Sequence, residues 1–280
     1  MNFQVPNEKK TRKDVIDQED LHLTENMLKI KHKIVIMSGK GGVGKSTISA
    51  NLAVSFANAN RKVGILDCDI HGPSIPSLLG IKDKRPDMVN QRIIPVKGPL
   101  DINVVSIDFF LPDISSPVIW RGPLKMRAIK QFLTDVAWEE LDYLIIDLPP
   151  GTGDEPLSIM QFIDDLDGII MITIPSNISQ HVVRKAINMV RSMDTPIIGI
   201  IENMSGFLCP NCNKIYEIYG KGGGELLSEE FNINFLGKIP IDPLIAEYSD
   251  LGKSFLLEKT STNCSKAMNS IIEMIIAIIE

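Results

Sequence analysis

An α/β fold, with a mostly parallel twisted sheet and helices on both faces, is predicted by three observations. Short apolar, β-branched runs alternate along the chain with segments of helical spacing. The first such run, KIVIM at Lys33–Met37, leads through the glycine-rich stretch GKGGVGKST, Gly39–Thr47, into a helical pattern. Two further apolar runs end in carboxylates, at Asp67 and Asp147, on the side where open α/β sheets collect their ligands.

The elements follow in order. Strands are expected at Lys33–Met37, Lys62–Leu66, Asn103–Ser106, Tyr143–Asp147, Gly168–Thr173, Ile197–Ile201 and Asn234–Gly237, because runs such as YLIID and GIIMIT suit strands covered on both faces. Helices are expected at Ser46–Asn60, Pro123–Val136, Pro156–Phe162, Ser179–Met193, Gly223–Glu230, Pro243–Asp250 and Cys264–Ile279, where the apolar period lengthens. Met1 to about Thr24 is charged and polar without a clear period, which predicts a mobile tail and a single domain over 25–280. Lys82–Leu100, rich in proline and charge, predicts an excursion beside the sheet.

Composition bounds the function. The 280 residues, 44% of them hydrophobic, suffice for one large core or at most two modest ones. A formal net charge of -6 argues against a general nucleic-acid coat. No apolar run reaches the ~20 residues needed to span a bilayer and the N-terminus lacks an apolar signal core, so a cytoplasmic protein without membrane or nucleic-acid partners is expected. Four cysteines, two of them in one C-x-x-C, are too few for a disulfide scaffold.

Gly39, Lys40, Gly41, Gly42, Val43, Gly44, Lys45, Ser46 and Thr47 fill the phosphate-loop pattern G-x-x-x-x-G-K-[ST] at every position and add a second lysine, Lys40. Glycines let successive N–H groups curl inward onto phosphate oxygens. Lys45 is expected to reach the outer phosphates, Ser46 to place its hydroxyl on Mg2+, and the helix N-terminus to face the phosphates with its positive dipole end.

Two acidic segments complete that chemistry. In LDCDIHGPS, Asp67 and Asp69 leave a strand end; one is suited to the Mg2+ hydration shell and the other to orienting a water, against the alternative of two solvated loop acids. In YLIIDLPPGTGDEP, Asp147 is placed to bind Mg2+ through water, and Pro149 to Gly153 form a loop able to sense a γ-phosphate. Cys209 and Cys212 form CPNC, which alone fits a zinc knuckle or a redox pair as well as half of an iron-sulfur site. Cys68 and Cys264 are read as buried fillers, and His71 as a turn residue.

The KGGVGK loop, DCDIHGPS, DLPPGTGDEP and the run ENMSGFLCPNC with GKGGGELL and LGKIPIDP resemble the Mrp/ApbC family of iron-sulfur cluster carrier P-loop ATPases, whose wider relatives include MinD, ParA and the nitrogenase iron protein. The resemblance spans about Met27 to Ser254. It implies a homodimer that sandwiches ATP, with Lys40 crossing to the partner's nucleotide, Asp69 orienting water, and Asp67 and Asp147 near Mg2+. It implies adenine contacts from Asn203 and from the Pro240 to Asp242 stretch, and a surface role for Trp120 and Arg121. It also implies that Cys209 and Cys212 of two subunits share one [4Fe-4S] cluster, received from scaffold proteins and passed to apo-proteins, with zinc as the alternative occupant. A different class of function, the MinD- or ParA-like positioning switch, uses the same nucleotide chemistry.

Overall fold

The computed structural model describes residues 12–111 and 122–280, with side chains from Glu19 onward. In chain order the elements are α1 Arg12–Met27, β1 Ile30–Ser38, α2 Lys45–Asn58, β2 Val63–Asp67, α3 Ile75–Leu78, β3 Asp87–Val89, β4 Arg92–Ile94, β5 Val96–Lys97, β6 Asn103–Ser106, α4 Gly122–Asp135 and β7 Leu141–Asp147. They continue with α5 Asp154–Phe162, β8 Gly168–Thr173, α6 Asn177–Ser192, β9 Ile197–Glu202, β10 Phe207–Leu208, β11 Ile215–Tyr216, α7 Gly223–Phe231, β12 Phe235–Lys238, α8 Pro243–Asp250, α9 Phe255–Glu258 and α10 Asn263–Ile279.

Eight strands form the main sheet in the order β12-β9-β8-β1-β7-β2-β6-β5. All neighbours are parallel except β5, which pairs antiparallel with β6 at the edge. The central strands are apolar at successive positions because both faces are covered. On one face, Ile34, Ile36, Ile65, Ile145 and Ile170 pack against α2, α9 and α10. On the other, Val35, Met37, Ile146 and Ile169 pack against α4, α5, α6, α7 and the end of α1. Met171 lies in this second core, while Met160 and Met189 pack against it from partly buried positions.

Two expectations need correction. Residues expected to lie in a tail through about Thr24 are helical from Arg12, and the last turns of α1 belong to the domain. Leu23 and Met27 are buried, and the buried amide of Asn26 donates to the carbonyls of Leu133, Thr134 and Val136 at 2.8, 3.3 and 2.7 Å. Asn26 thereby satisfies carbonyls that the C-terminus of α4 leaves open. Only a few apolar residues achieve this docking, so the charged sequence shows no helical stripe. The Lys82–Leu100 excursion does leave the sheet, as the β3–β4 hairpin, but returns as strand β5. Its turn uses Asn90 and Gln91 at φ 49° and 64°, the left-handed pair that two-residue hairpins require. Residues 1–11 of the expected tail lie outside the described residues.

Register fixes the site. Ile36 of β1 pairs with Asp147 of β7, and Asp67 of β2 pairs with Asp147 on the other side. Three neighbouring strands therefore deliver the phosphate loop and both strand-end acids to one edge of the sheet.

Candidate nucleotide site and metal centre

The phosphate loop turns at Gly42 and Gly44, with φ of 78° and 80°, a backbone region that glycine enters without penalty. Gly44 has a second reason to lack a side chain, since a Cβ there would lie 2.3 Å from Asn203 Nδ2. Asn203 uses that closeness: its Nδ2 donates to the Val43 carbonyl at 2.8 Å, tying the loop to the end of β9. A Cβ on Gly39 would meet the backbone of Val182 and Val183 at 2.9 Å, so the loop also rests on α6. Lys40 is half-buried, and Gly41 and Gly42 are exposed.

At the start of α2, the chain converges on Asp147. Lys45 Nζ lies 2.7 Å from Asp147 Oδ1, Ser46 Oγ donates to Oδ2 at 2.6 Å, and Ser49 Oγ donates to Oδ1 at 2.6 Å. Asp147 has no solvent exposure, so three donors offset the cost of holding its charge away from water. Ser49 was not anticipated, although it stands one helical turn after Lys45 and therefore on the same face. In the segment that follows Asp147, the Gly151 N–H donates to the Ser38 carbonyl at 2.9 Å, which holds the second glycine-rich loop against the first.

Asp67, expected near Mg2+, stands beside Asp147 in the sheet and also serves the loop that follows it. Its Oδ2 accepts from Ser74 N, Ile75 N and Ser106 Oγ at 3.2, 3.3 and 3.2 Å, and its Oδ1 from Asp69 N at 3.1 Å. Burial, reinforced by the neighbouring charge of Asp147, pushes its carboxyl up to about 8. Both oxygens thus take part in shaping the 69–75 loop. Asp69 is half-buried, accepts from Gly72 N at 3.1 Å, and stands on the loop that Asp67 organises. His71 is exposed on the same turn. Cys68 is buried between the two acids, where burial pushes its thiol well up. Trp120 and Arg121 lie outside the described residues.

Beside the loop opens a largely apolar cavity of about 450 Å³. Gly44, Thr47, Asn51 and Asn203 form its phosphate-loop end, and Pro240, Ile241 and Asp242 form the far wall. Its position between α2 and the segment after β12 suits the base and sugar of a nucleotide whose phosphates lie in the loop. Asp242 also caps α8, accepting from Leu244 N at 3.0 Å, with Pro243 at the first helical position. Cys264 lies in the same wall, its thiol donating to the Pro240 carbonyl at 3.1 Å.

Cys209 and Cys212 occupy the tip of the β10–β11 hairpin, in which Phe207 pairs with Tyr216 and Leu208 with Ile215. Cys209 N donates to the Lys214 carbonyl, and Asn213, at φ 54°, returns a bond to the Cys209 carbonyl at 2.9 Å. N–H groups of Cys212 and Asn211, with the Cys212 thiol, pull the Cys209 thiol below its ordinary range. Cys212 is exposed and Cys209 is partly so, while Leu208, Ile215, Tyr216, Ile218 and Tyr219 present apolar surface around them. Among the described residues no group of three or more His, Cys, Asp and Glu side chains could hold a metal ion.

A glycine-rich phosphate cradle, a helix-borne lysine and serine on a strand-end acid, and a base-sized cavity on a parallel sheet define a P-loop nucleoside triphosphatase. The chain belongs to the ParA family described as NUBPL iron-transfer P-loop NTPase, whose model matches residues 29–276. It is 51% identical over 265 residues to the iron-sulfur cluster carrier protein of Methanocaldococcus jannaschii, covering 94% of this chain and 91% of the relative. It is 45% identical to the cytosolic Fe-S cluster assembly factor NUBP2 homolog of Dictyostelium discoideum, covering 88% and 95%. Among solved structures, the nucleotide-binding protein of Archaeoglobus fulgidus in complex with ADP and with cobalt is 41% identical, with a TM-score of 0.75 over 87% of this chain and 94% of that one. The cell division ATPase MinD of Pyrococcus furiosus, 23% identical with a TM-score of 0.67 over 89% and 99%, shares the fold. Among the described residues no helix is long and apolar enough to cross a membrane.

Proposed function

We propose that this chain is a cytoplasmic ATP-binding and slowly hydrolysing carrier that, as a homodimer, binds one bridging [4Fe-4S] cluster and delivers it to apo-proteins. The observation that carries the reading is the placement of the only C-x-x-C on an exposed hairpin built off the wall of the nucleotide cavity. Two thiolates are half of what a [4Fe-4S] cluster takes, and the other two cysteines are buried elsewhere. A two-fold axis passing between two such hairpins supplies four. Zinc fits the same four thiolates and is the competing occupant. The names of the Methanocaldococcus and Dictyostelium relatives support both the cargo and the compartment.

The chemistry follows from the side chains. Backbone N–H groups of Gly39 to Gly44, with Lys45, hold the phosphates, and Thr47, Asn203, Pro240 and Asp242 border the nucleoside. Ser46 Oγ and the Asp147 carboxylate, 2.6 Å apart, form an oxygen donor set of the kind that would hold a hard cation. Held by these residues, Mg2+ would supply charge neutralisation for phosphoryl transfer. Asp69 orients the attacking water, and Lys40 reaches the nucleotide of the partner subunit. Asp67 shapes the loop that presents Asp69. Scaffold proteins load the cluster and apo-proteins receive it.

The test is transfer from anaerobically loaded protein to an apo-enzyme that needs a [4Fe-4S] cluster, with and without ATP. Wild type restores the enzyme, and Lys45→Ala loses ATP turnover by on the order of a hundredfold. Full turnover and full transfer by Lys45→Ala would contradict the proposal.

A further inference from the structure

The cysteine hairpin is fastened on both its legs to the base end of the nucleotide cavity, and it touches the phosphate end through Asn203, two residues before Ser205. On its outgoing side, Ser205 N donates to the Ile239 carbonyl at 2.9 Å, Ile241 N donates to the Gly206 carbonyl at 2.8 Å, and Phe207 bridges Ile241 in parallel. Ile239 and Ile241 line the cavity. On its return side, Ile218 and Tyr219, six and seven residues after Cys212, form another part of the same wall. The return leg therefore abuts whatever occupies the base end, and the outgoing leg is bonded to two residues that do.

Glu202 joins the two roots of this segment. It ends β9 with no solvent exposure, and its Oε1 accepts from Ser205 Oγ at 2.6 Å while Oε2 accepts from Gly224 N at 2.6 Å. Ser205 precedes the hairpin, and Gly224 lies in the first turn of α7, the next helix after it. Lys238, the register partner of Glu202 on β12, pairs with Glu225 instead, so the buried carboxylate is held by neutral donors at the two roots. The fit leaves no slack: a Cβ on Gly224 would lie 2.9 Å from Glu202 Cβ, and one on Gly223 would lie 2.8 Å from the Pro175 carbonyl. A buried carboxylate without a cation is costly, and one that spans two chain segments fixes their separation.

We infer that occupation of the base end of the cavity, sensed by Ile218, Tyr219 and Ile241, sets the position of Cys209 and Cys212 through the hairpin, with Glu202 as the positioning residue that makes its roots a rigid fulcrum. The inference rests on the proposed nucleotide and cysteine sites, and it adds a direction: the signal comes from the purine nucleoside and does not need the γ-phosphate. ADP then acts on the cysteines as ATP does, and a ligand with phosphates alone does not. Coupling is reciprocal, so a metal on the cysteines shifts ADP affinity by the same factor.

The experiment uses the full chain, reduced and free of metal, and follows the rate at which iodoacetamide alkylates Cys209 and Cys212 by mass spectrometry. Saturating ADP changes that rate by about fivefold or more, whereas inorganic tripolyphosphate, at concentrations that displace a fluorescent nucleotide, leaves it unchanged. Glu202→Gln offers one acceptor oxygen in place of two, and Ser205→Ala removes one donor. Neither side chain lines the cavity; both variants keep ADP affinity within about threefold while the ADP effect on alkylation falls below about twofold. The inference is overturned if tripolyphosphate acts like ADP, if ADP leaves the wild-type rate unchanged, or if both variants respond in full. Should Glu202→Gln fail to fold, Ser205→Ala decides. No step involves iron, so a protein that carries no cluster still passes or fails this test on its own.

Discussion

At the scale of single residues, the site is a set of paired necessities. Gly44 is needed both for its left-handed backbone and for the amide of Asn203 that would otherwise collide with a side chain. Gly44→Ala should cost roughly 1–2 kcal/mol from backbone alone and, by forcing Asn203 off the Val43 carbonyl, weaken nucleotide binding; thermal unfolding and nucleotide titration check both effects. Asp67 carries a pH signature. Its folded carboxyl, raised to about 8, lies above the value of an unfolded chain, so its contribution to stability is complete below about pH 4 and is lost as the pH rises toward 8. Magnesium-free wild type should therefore lose more of its melting temperature than Asp67→Asn between those limits. Parallel unfolding curves for the two proteins would remove this account of Asp67. The turn of the phosphate loop and the strand-end place of Asp147 were legible in the sequence because glycine spacing and the end of an apolar run mark them locally. The loop-shaping role of Asp67 was not, since it depends on N–H groups of residues 69, 74 and 75 and on a serine from β6. Glu202 was hidden for the same reason, as its partners lie 3 and 22 residues away.

At the scale of elements, apolar runs located the seven parallel strands, but not the short ones. β3, β4, β5, β10 and β11 are two or three residues long and exist through pairing, which no local period records. α1 shows the opposite failure: its sequence looks solvated, yet buried Leu23 and Met27 and the amide of Asn26 fasten it to the domain. Asn26→Ala leaves the carbonyls of Leu133 and Val136 without that donor and removes the oxygen that accepts from Arg92 Nη2 at 2.7 Å. A loss of about 2 kcal/mol is expected in urea unfolding. At the other end of the chain, Tyr143 Oη donates to Glu280 Oε1 at 2.8 Å and Arg61 pairs with the same carboxylate, tethering the end of α10 to the sheet. Tyr143→Phe should cost about 1 kcal/mol and loosen hydrogen-exchange protection in α10 before that of the central strands.

At the scale of the whole molecule, one edge of the sheet gathers two chemistries. The phosphate loop and Asp147 stand at the ends of the central strands, and the cysteine hairpin grows from the end of β9, with the base cavity between β9 and α8 joining them. The chain presents Cys209 and Cys212 beside a patch of exposed apolar side chains, an arrangement that the second copy proposed above would complete. The most direct test is anaerobic iron-sulfur reconstitution of wild type and a Cys209→Ala/Cys212→Ala variant, reading iron, sulfide, zinc and oligomeric state together. The account predicts about four irons and four sulfides per two chains in wild type, on a dimer, and none in the variant. Zinc without iron, metal retained by the variant, or a full cluster on a single chain would contradict it.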